Sequence, residues 1–482
     1  MTTKKRPNIL LILADDQGAW ALPEETAGEL RAPNLQHLVD TGMQFRDFFC
    51  TCPVCSPARA SLLTGRLPSQ HGVHDWLAAG NTVAEHEPAR GGLLLPYLQN
   101  ECAYTQILAA AGYRCGLSGK WHLGDCHHPQ QGFSFWQVYA TGGGSYYGAA
   151  MIRNGELYHE KEYVTDAITT NALHWLEEIS DQPEPFYLSV HYTAPHSPWD
   201  RSNHPEDIYA DYYQNCAFRS LPENLPPPEW VEGISIPVRD AETRRSYLSG
   251  YFTAITAMDA NIGRLLDWLE QSGKAEDTLV IFTSDNGMNM GQHGIYGKGN
   301  ATWPLNMFEE SVRVPLLIAH PGSIAPGRQD RHLLSQYDFM PTLLDYIGLE
   351  IPEGLNLPGR SFAPLLQGQA LSEAREVVVY DEYGPVRMLR TPDWKLVVRN
   401  QHGPDELYNL RRDPGETCNL SGHPEAAARE RQLRGQLLDW FQKYAVPEKI
   451  ADGKLVDGYG QYGLCSEPEA FPGRRAYQPP ER

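Results

Sequence analysis

Ile9-Leu10-Leu11-Ile12-Leu13-Ala14-Asp15-Asp16 runs six apolar residues straight into two aspartates. A short run that is apolar at every position, rather than at alternate ones, fits a strand buried on both faces, as in a parallel sheet covered by helices. Basic residues precede it at Lys4 to Arg6, but the run is too short for the core of an export signal. In open α/β sheets the ligand site lies at the C-terminal ends of such strands, so Asp15 and Asp16 stand where chemistry is expected.

The same pattern recurs along the chain. Thr278–Thr283 (TLVIFT) runs into Ser284-Asp285-Asn286-Gly287, Pro185–His191 into the loop that holds His196, and Tyr113–Leu117 into Gly119-Lys120-Trp121-His122-Leu123-Gly124. Met43–Phe49 and Val314–Ala319 read as further strands. Helical periodicity predicts helices at Asn34–Thr41, Leu93–Ala111, Thr165–Ser180, Ala241–Gln271 and Gln336–Ile347. His127 to Gly155 is rich in glycine and aromatics without a period, as expected of a loop over a site, and Asp200 to Val238 reads as a long Pro-rich excursion.

Strands alternating with helices predict an α/β fold, a large, mainly parallel or mixed sheet sandwiched by helices, over residues 1–370. Composition shifts near Gly368. Val377–Tyr380, Val386–Arg390 and Trp394–Arg399 then predict a small antiparallel sheet, with Ala426–Tyr444 as a helix on it, in a C-terminal subdomain of residues 371–482. The Gly-, Pro- and Tyr-rich tail from Val446 is expected to be irregular and to wrap over the main domain. At 482 residues the chain exceeds what one hydrophobic core supports, so a large domain with a smaller one is the natural division.

Composition narrows the function. With 40 basic against 60 acidic side chains the formal net charge is −20, which argues against nucleic acid or an anionic membrane as partner. The same charge repels an anionic substrate at long range, so an anion site needs a metal and a few cations close by. No stretch is long and apolar enough to span a membrane. Nine cysteines, an odd number without regular spacing, fit a reducing compartment, and the chain reads as cytoplasmic unless an export leader precedes it.

Cys55-Ser56-Pro57-Ala58-Arg59-Ala60-Ser61-Leu62-Leu63-Thr64-Gly65-Arg66 places a thiol four residues ahead of a fixed cation, with helix-forming residues behind it. Cys55 is therefore expected near a helix N-terminus, where free N–H groups favour negative charge. Asp15, Asp16, Asp285 and Asn286 offer an all-oxygen set suited to a hard cation, Ca²⁺ or Mg²⁺, rather than zinc. Cys50, Cys52 and Cys55 lack a fourth zinc ligand at finger-like spacing.

Cys-x-Pro-x-Arg followed by Ala-Ser-Leu-Leu-Thr-Gly-Arg resembles the signature of the type I sulfatases, the arylsulfatase branch of the alkaline phosphatase superfamily. Leu-Ala-Asp15-Asp16-Gln17-Gly18 and Thr-Ser-Asp285-Asn286-Gly287, with Gly291-Gln-His293-Gly294, resemble its two metal motifs. The Gly119–Gly124 string resembles its Gly-Lys-Trp-His-Leu-Gly element. Glu309 to Pro315, and Asp405 to Glu416, extend the likeness to about residue 420. The resemblance implies a maturation enzyme that converts Cys55 to Cα-formylglycine. It also implies a divalent cation, usually Ca²⁺, held by Asp15, Asp16, Asp285, Asn286 and an oxygen of modified Cys55.

By the same resemblance, Arg59 holds the hydrated aldehyde, His122 takes a proton from it to release sulfate, and His196 with Lys298 serves the leaving oxygen. The i, i+2 spacing of Lys120 and His122 is expected to put both on one side of an extended segment, facing one anion. The expected activity is hydrolysis of a small organic sulfate ester, a carbohydrate sulfate ahead of an aryl or alkyl one. A phosphonate monoester or phosphodiester hydrolase of the same superfamily is the alternative, and a non-catalytic anion- or glycan-binding relative a third. His71, His74, Asp75, Trp76, Tyr146, Tyr147 and Trp199 are candidates to line the mouth of the site.

Overall fold

The computed structural model describes residues 6–83, 92–371, 373, 375–380, 386–400, 402–450, 454 and 456–471. Its centre is an eleven-stranded sheet in which five adjacent strands, Thr278–Ser284, Asn8–Ala14, Phe186–His191, Arg114–Lys120 and Phe135–Tyr139, run parallel. Antiparallel strands extend both sides: Arg313–Ala319 pairs with Thr278–Ser284 and with Met43–Phe49, while Ala149–Arg153 and Glu156–Glu160 follow Phe135–Tyr139.

Strand alternation sorts the first apolar run between two cores. Ile9, Leu11 and Leu13 join the core that holds Leu62 and Leu63 from the helix Cys55–Thr64. Leu10, Ile12 and Ala14 join the opposite core, beneath the helices Val164–Glu178 and Ala241–Gln271. Burial on both faces is what a continuous apolar run requires. Ala241–Gln271 has the bounds the sequence predicts. Among the described residues no helix is long and apolar enough to cross a membrane.

Several expectations need correction. Leu93–Ala111 is helical only over Tyr104–Ala110, because Pro96 lacks an N–H and the preceding chain is pinned across the molecule, the Leu95 N–H donating to the Gly80 carbonyl at 3.0 Å. The segment read as a loop from His127 to Gly155 contains the strands Phe135–Tyr139 and Ala149–Arg153, the second only five residues long and following directly on a glycine-rich run. The excursion from Asp200 contains the helix Glu206–Asn215, which buries Tyr209 and Tyr212.

Val377–Val379, Val386–Arg390, Trp394–Arg399 and Glu406–Asn409 form a four-stranded antiparallel sheet, the last strand not foreseen. The helix Ala427–Tyr444 lays Leu433 and Leu437 on it against Leu389, Leu396 and Leu407. This sheet is fastened to the large one through buried charge. The Lys395 ammonium, wholly buried, lies 2.5 Å from Glu416 and 3.4 Å from Glu309, and the Glu309 N–H donates to the Glu416 carboxylate at 2.8 Å.

The tail returns to the main domain over the segment that follows the Cys55 helix. Gln461 donates its N–H to Trp76 O at 2.8 Å and accepts from the Ala78 N–H at 2.9 Å. The Asp75 carboxyl accepts from the N–H groups of Trp76 at 2.8 Å and Gly460 at 3.0 Å. Residues 472–482, also part of the predicted tail, lie outside the described residues.

Two outcomes follow from these joints. Lys395→Ala leaves Glu416 without its cation and Glu309 with Arg390 alone, a loss of about 3–5 kcal/mol, read as a lower midpoint of denaturant unfolding; an unchanged midpoint would show the joint to be idle. Burial, with Asp457 adding to it, pushes the Asp75 carboxyl up to about 7 from 3.8. The folded chain thus keeps a proton that the unfolded chain loses, and the stabilisation is full below the unfolded value and lost as pH rises through the folded one. Hydrogen exchange at the Gly460 and Gln461 amides should therefore gain more between about pH 5 and pH 8 than intrinsic chemistry accounts for. Intrinsic pH dependence alone at both amides would contradict this.

Candidate active site

Asp15 and Asp16 end one central strand and Asp285 and Asn286 its neighbour, paired in register up to Ala14 opposite Ser284. Oxygens of Asp15, Asp16 and Asp285 lie within 4.8 Å of one another, all wholly or almost wholly buried. Asp16 reaches its place with φ at 68°, a left-handed conformation that costs a non-glycine residue energy and is fixed by its N–H donating to Asp285 Oδ1 at 3.1 Å.

Three cations hold these carboxylates. Lys120 Nζ donates to Asp15 Oδ2 at 2.5 Å, Lys298 Nζ to Asp16 Oδ1 at 2.6 Å, and Arg59 Nε to Asp285 Oδ2 at 2.8 Å. Burial alone would push Asp15 and Asp16 up, but Lys120 and Lys298 respectively, each with His196, outweigh it, and both carboxyls sit below their ordinary value. Lys298 Nζ also lies 3.9 Å from Cys55 Sγ, which begins the helix Cys55–Thr64 as expected. Burial pushes the Cys55 thiol up, and Lys120 and Lys298 pull it back without overcoming that. As encoded, Cys55 is a poor thiolate nucleophile.

The set fits a hard cation. Asn286 Nδ2 donates to Asp16 Oδ1 at 2.7 Å and to Gly287 O at 2.9 Å, which fixes the amide so that Oδ1 is its remaining acceptor. That buried Oδ1 and the buried Asp15 Oδ1 have no hydrogen-bond donor. Unpartnered oxygens beside clustered carboxylates are the donor set of Ca²⁺ or Mg²⁺.

The two histidines differ in which nitrogen is free. His122 Nε2 faces Leu77 O at 3.2 Å, and a carbonyl can only accept, so Nε2 carries the proton and buried, unpartnered Nδ1 is the basic atom. Burial, with Lys120 and Arg59, holds this ring well below the ordinary histidine pKa, hence neutral. His196 Nδ1 faces Ser197 O at 2.7 Å, which leaves Nε2 toward Asp16, 3.7 Å from its Oδ2.

Cys55, His122, His196 and Lys298 share the wall of a cavity of about 750 Å³, with Trp76 and Asn300 among the other lining residues. Lys120 does not join His122 there. The strand ends at Lys120 and His122 turns to φ 53°, so the extended i, i+2 alignment is broken and Lys120 lies wholly buried against Asp15. Arg59 also sits beneath the cage, its second guanidinium nitrogen on Lys120 O at 3.0 Å.

Of the residues expected at the mouth, Trp76 alone lines the cavity. His71 is buried against Ser61, His74 against Lys449 O and Asp75 against the tail; Tyr146 bonds His196 O and Trp199 bonds Pro195 O. Tyr147 is exposed but packs on Tyr163. His293 likewise lies outside this wall, paired with Glu310 and stacked on Phe308.

A run that sequence reasoning left within a loop, Gly142-Gly143-Gly144, closes over both imidazoles. A Cβ on Gly142 would fall 2.3 Å from His122 Cε1, and one on Gly143 2.7 Å from His196 Cε1. The signal was three glycines in a row; their partners were not readable.

Residues 7–349 match the family described as Sulfatase, and residues 291–443 the N-sulphoglucosamine sulphohydrolase C-terminal family. The chain is 27% identical to N-acetylglucosamine-6-O-sulfatase of Bacteroides thetaiotaomicron, over 91% of this chain and 87% of that one. It is 30% identical to choline-sulfatase of Rhizobium meliloti, over 88% and 84%. A solved complex with its substrate D-glucosamine-2-N,6-O-disulfate superposes with TM-score 0.72 at 25% identity, covering 94% of this chain and 100% of that one. The phosphonate monoester hydrolase of Agrobacterium radiobacter shares the fold at TM-score 0.65 and 21% identity, over 91% of this chain and 96% of that one. With the family match spanning most of its length and the signature cysteine set against a buried acidic cage, the chain belongs to the sulfatase family.

Proposed function

We propose that this sulfatase releases inorganic sulfate from a carbohydrate sulfate monoester, using Cys55 after conversion to formylglycine by a maturation enzyme, and Ca²⁺. The observation that carries the reading is the convergence of the Asp15-Asp16-Asp285-Asn286 oxygens with three fixed cations, one of which, Lys298, lines a cavity together with Cys55. The names of the glucosamine-sulfate relative and of the glucosamine-disulfate complex support a sugar as the esterified alcohol. The likeness to phosphonate hydrolases supports the shared fold and no more.

Asp15, Asp16, Asp285 and Asn286 would hold the cation, which supplies charge neutralisation for the sulfate oxygens and lowers the pKa of an oxygen nucleophile. Formylglycine, when hydrated, supplies a hydroxyl in place of the weakly ionised thiol. Three carboxylates are matched by Arg59, Lys120 and Lys298, so the protein's own charges cancel and a bound divalent ion leaves the floor positive. A sulfate ester is thus attracted locally despite the net charge of −20.

The remaining work falls to side chains in the cavity wall. Lys298, kept an ammonium because Asp16 outweighs the opposing effect of burial, supplies fixed positive charge beside Cys55. His196, with Nδ1–H held on Ser197 O, has Nε2 near Asp16. When that nitrogen also carries a proton it is placed to pass it to the departing alcohol oxygen, the ring returning to its neutral form. His122 Nδ1 accepts the proton from the residue-55 hydroxyl as sulfate leaves. Gly142 and Gly143, having no side chains, leave the room that both rings occupy.

Two measurements test this. Enzyme co-expressed with a formylglycine-generating enzyme should lose the Cys55 sulfur by peptide mass spectrometry and cleave 4-nitrophenyl sulfate in preference to the corresponding phosphonate. Removing its divalent ions should lower that rate about 100-fold or more, with Ca²⁺ restoring it better than Mg²⁺. Indifference to chelation, or phosphonate preference, would sink the assignment. Gly142→Ala should lower kcat about 100-fold through displacement of His122, with the unfolding midpoint nearly kept; wild-type kcat would show the ring to be free to move.

A further inference from the structure

Charge is concentrated at one end of the cavity. Among the described lining residues there is no aspartate, glutamate or arginine, and Lys298, beside Cys55, is the one lysine. Away from that floor the wall offers the Asn300 amide, the hydroxyls of Thr141 and Ser145, and the His159 ring, whose Nδ1 bonds Gly148 O at 3.1 Å. Such groups suit sugar hydroxyls, which donate and accept in turn. Among the described lining residues, Lys298 apart, a second sulfate or carboxylate taken from water finds no lysine or arginine, and a quaternary ammonium finds no carboxylate.

Trp76 supplies the apolar surface. Its indole Nε1 donates to Gly458 O at 2.9 Å, and Gly460 packs so closely on it that an added Cβ would lie 3.0 Å from Cε2 and Cζ2. With its N–H engaged and one face of the ring covered by Gly460 of the tail, what Trp76 can still offer a ligand is its other face. The backbone beneath it is fixed on both sides, by Asp75 and by Gln461. An immobile aromatic face loses little freedom when a sugar ring stacks on it. The volume, about 750 Å³, falls within the range of small-ligand sites.

We propose that this cavity is a subsite for an electrically neutral sugar ring carrying a single sulfate, with Trp76 as its stacking face. The proposal rests on the sulfatase reading and selects the substrate class within it: uncharged pyranosides esterified once, ahead of multiply sulfated or uronate-bearing sugars and ahead of cationic alkyl sulfates.

The test is a panel of N-acetylhexosamine monosulfates of differing position, each beside the disulfate of the same sugar, with choline sulfate. On the best monosulfate the mature enzyme should show kcat/KM about tenfold or more above the disulfate and choline sulfate. Trp76→Ala should raise KM for that sugar about tenfold with little change in kcat, and Trp76→Phe should restore most of it. A disulfate turned over as well as the monosulfate, or an unchanged KM in Trp76→Ala, would overturn the subsite. The sulfatase reading is tested separately by 4-nitrophenyl sulfate. If no ester is cleaved, calorimetry of the same sugars on the calcium-loaded Cys55→Ser variant still decides: selective monosulfate binding lost with Trp76→Ala upholds the subsite, and equal binding refutes it.

Discussion

Three carboxylates whose oxygens lie within 4.8 Å repel one another strongly in a space that water does not reach. At an effective dielectric of about 20, each pair costs roughly 3–4 kcal/mol before desolvation is added. Such a cluster persists only if cations are brought to it, and here they come from separate parts of the chain: Arg59 from a helix, Lys120 from a strand end, Lys298 from a distant loop. The fold is organised to deliver them. Arg59 also reaches the Lys120 carbonyl and Gln336 spans from Thr51 N–H to Asp285 O, so the strand ends and the helix that begins at Cys55 are tied into one rigid unit.

This constraint divides the labour of the site. The cage and its cations are buried and mutually locked, so a substitution there disturbs charge balance as well as geometry. The wall above is contributed by the Trp76–Asn81 segment, the glycine run and the sheet's outer strands. In the proposed reading, a floor made positive by a bound cation attracts any sulfate ester, and discrimination among esters is assigned to the wall.

How far the sequence could be read follows the same division. The buried strands Asn8–Ala14 and Thr278–Ser284, and the acids that end them, were legible because burial on two faces writes a continuous apolar run. The helix Ala241–Gln271 was legible from its long period. Outer strands such as Glu156–Glu160 were not, since solvent on one side relaxes the pattern. Nor could local spacing show that His122 leaves the extended conformation and parts from Lys120, because that turn is set by Leu77 and Gly142 packing on the ring.

The mouth of the cavity was the least legible part, and the reason is topological. Whether His74, Asp75 or Trp76 faces the ligand depends on residues almost 400 positions later in the chain, where Gly458 to Gln461 cover the first two and leave the indole against the cavity. Periodicity reports only whether a side chain is buried by its own element and near neighbours. A wall made where two distant irregular segments meet has no period to read. The same circumstance frees it to vary: the tail can change its grip on Trp76 without moving a single cage carboxylate, so alcohol specificity can drift while sulfate chemistry stays fixed.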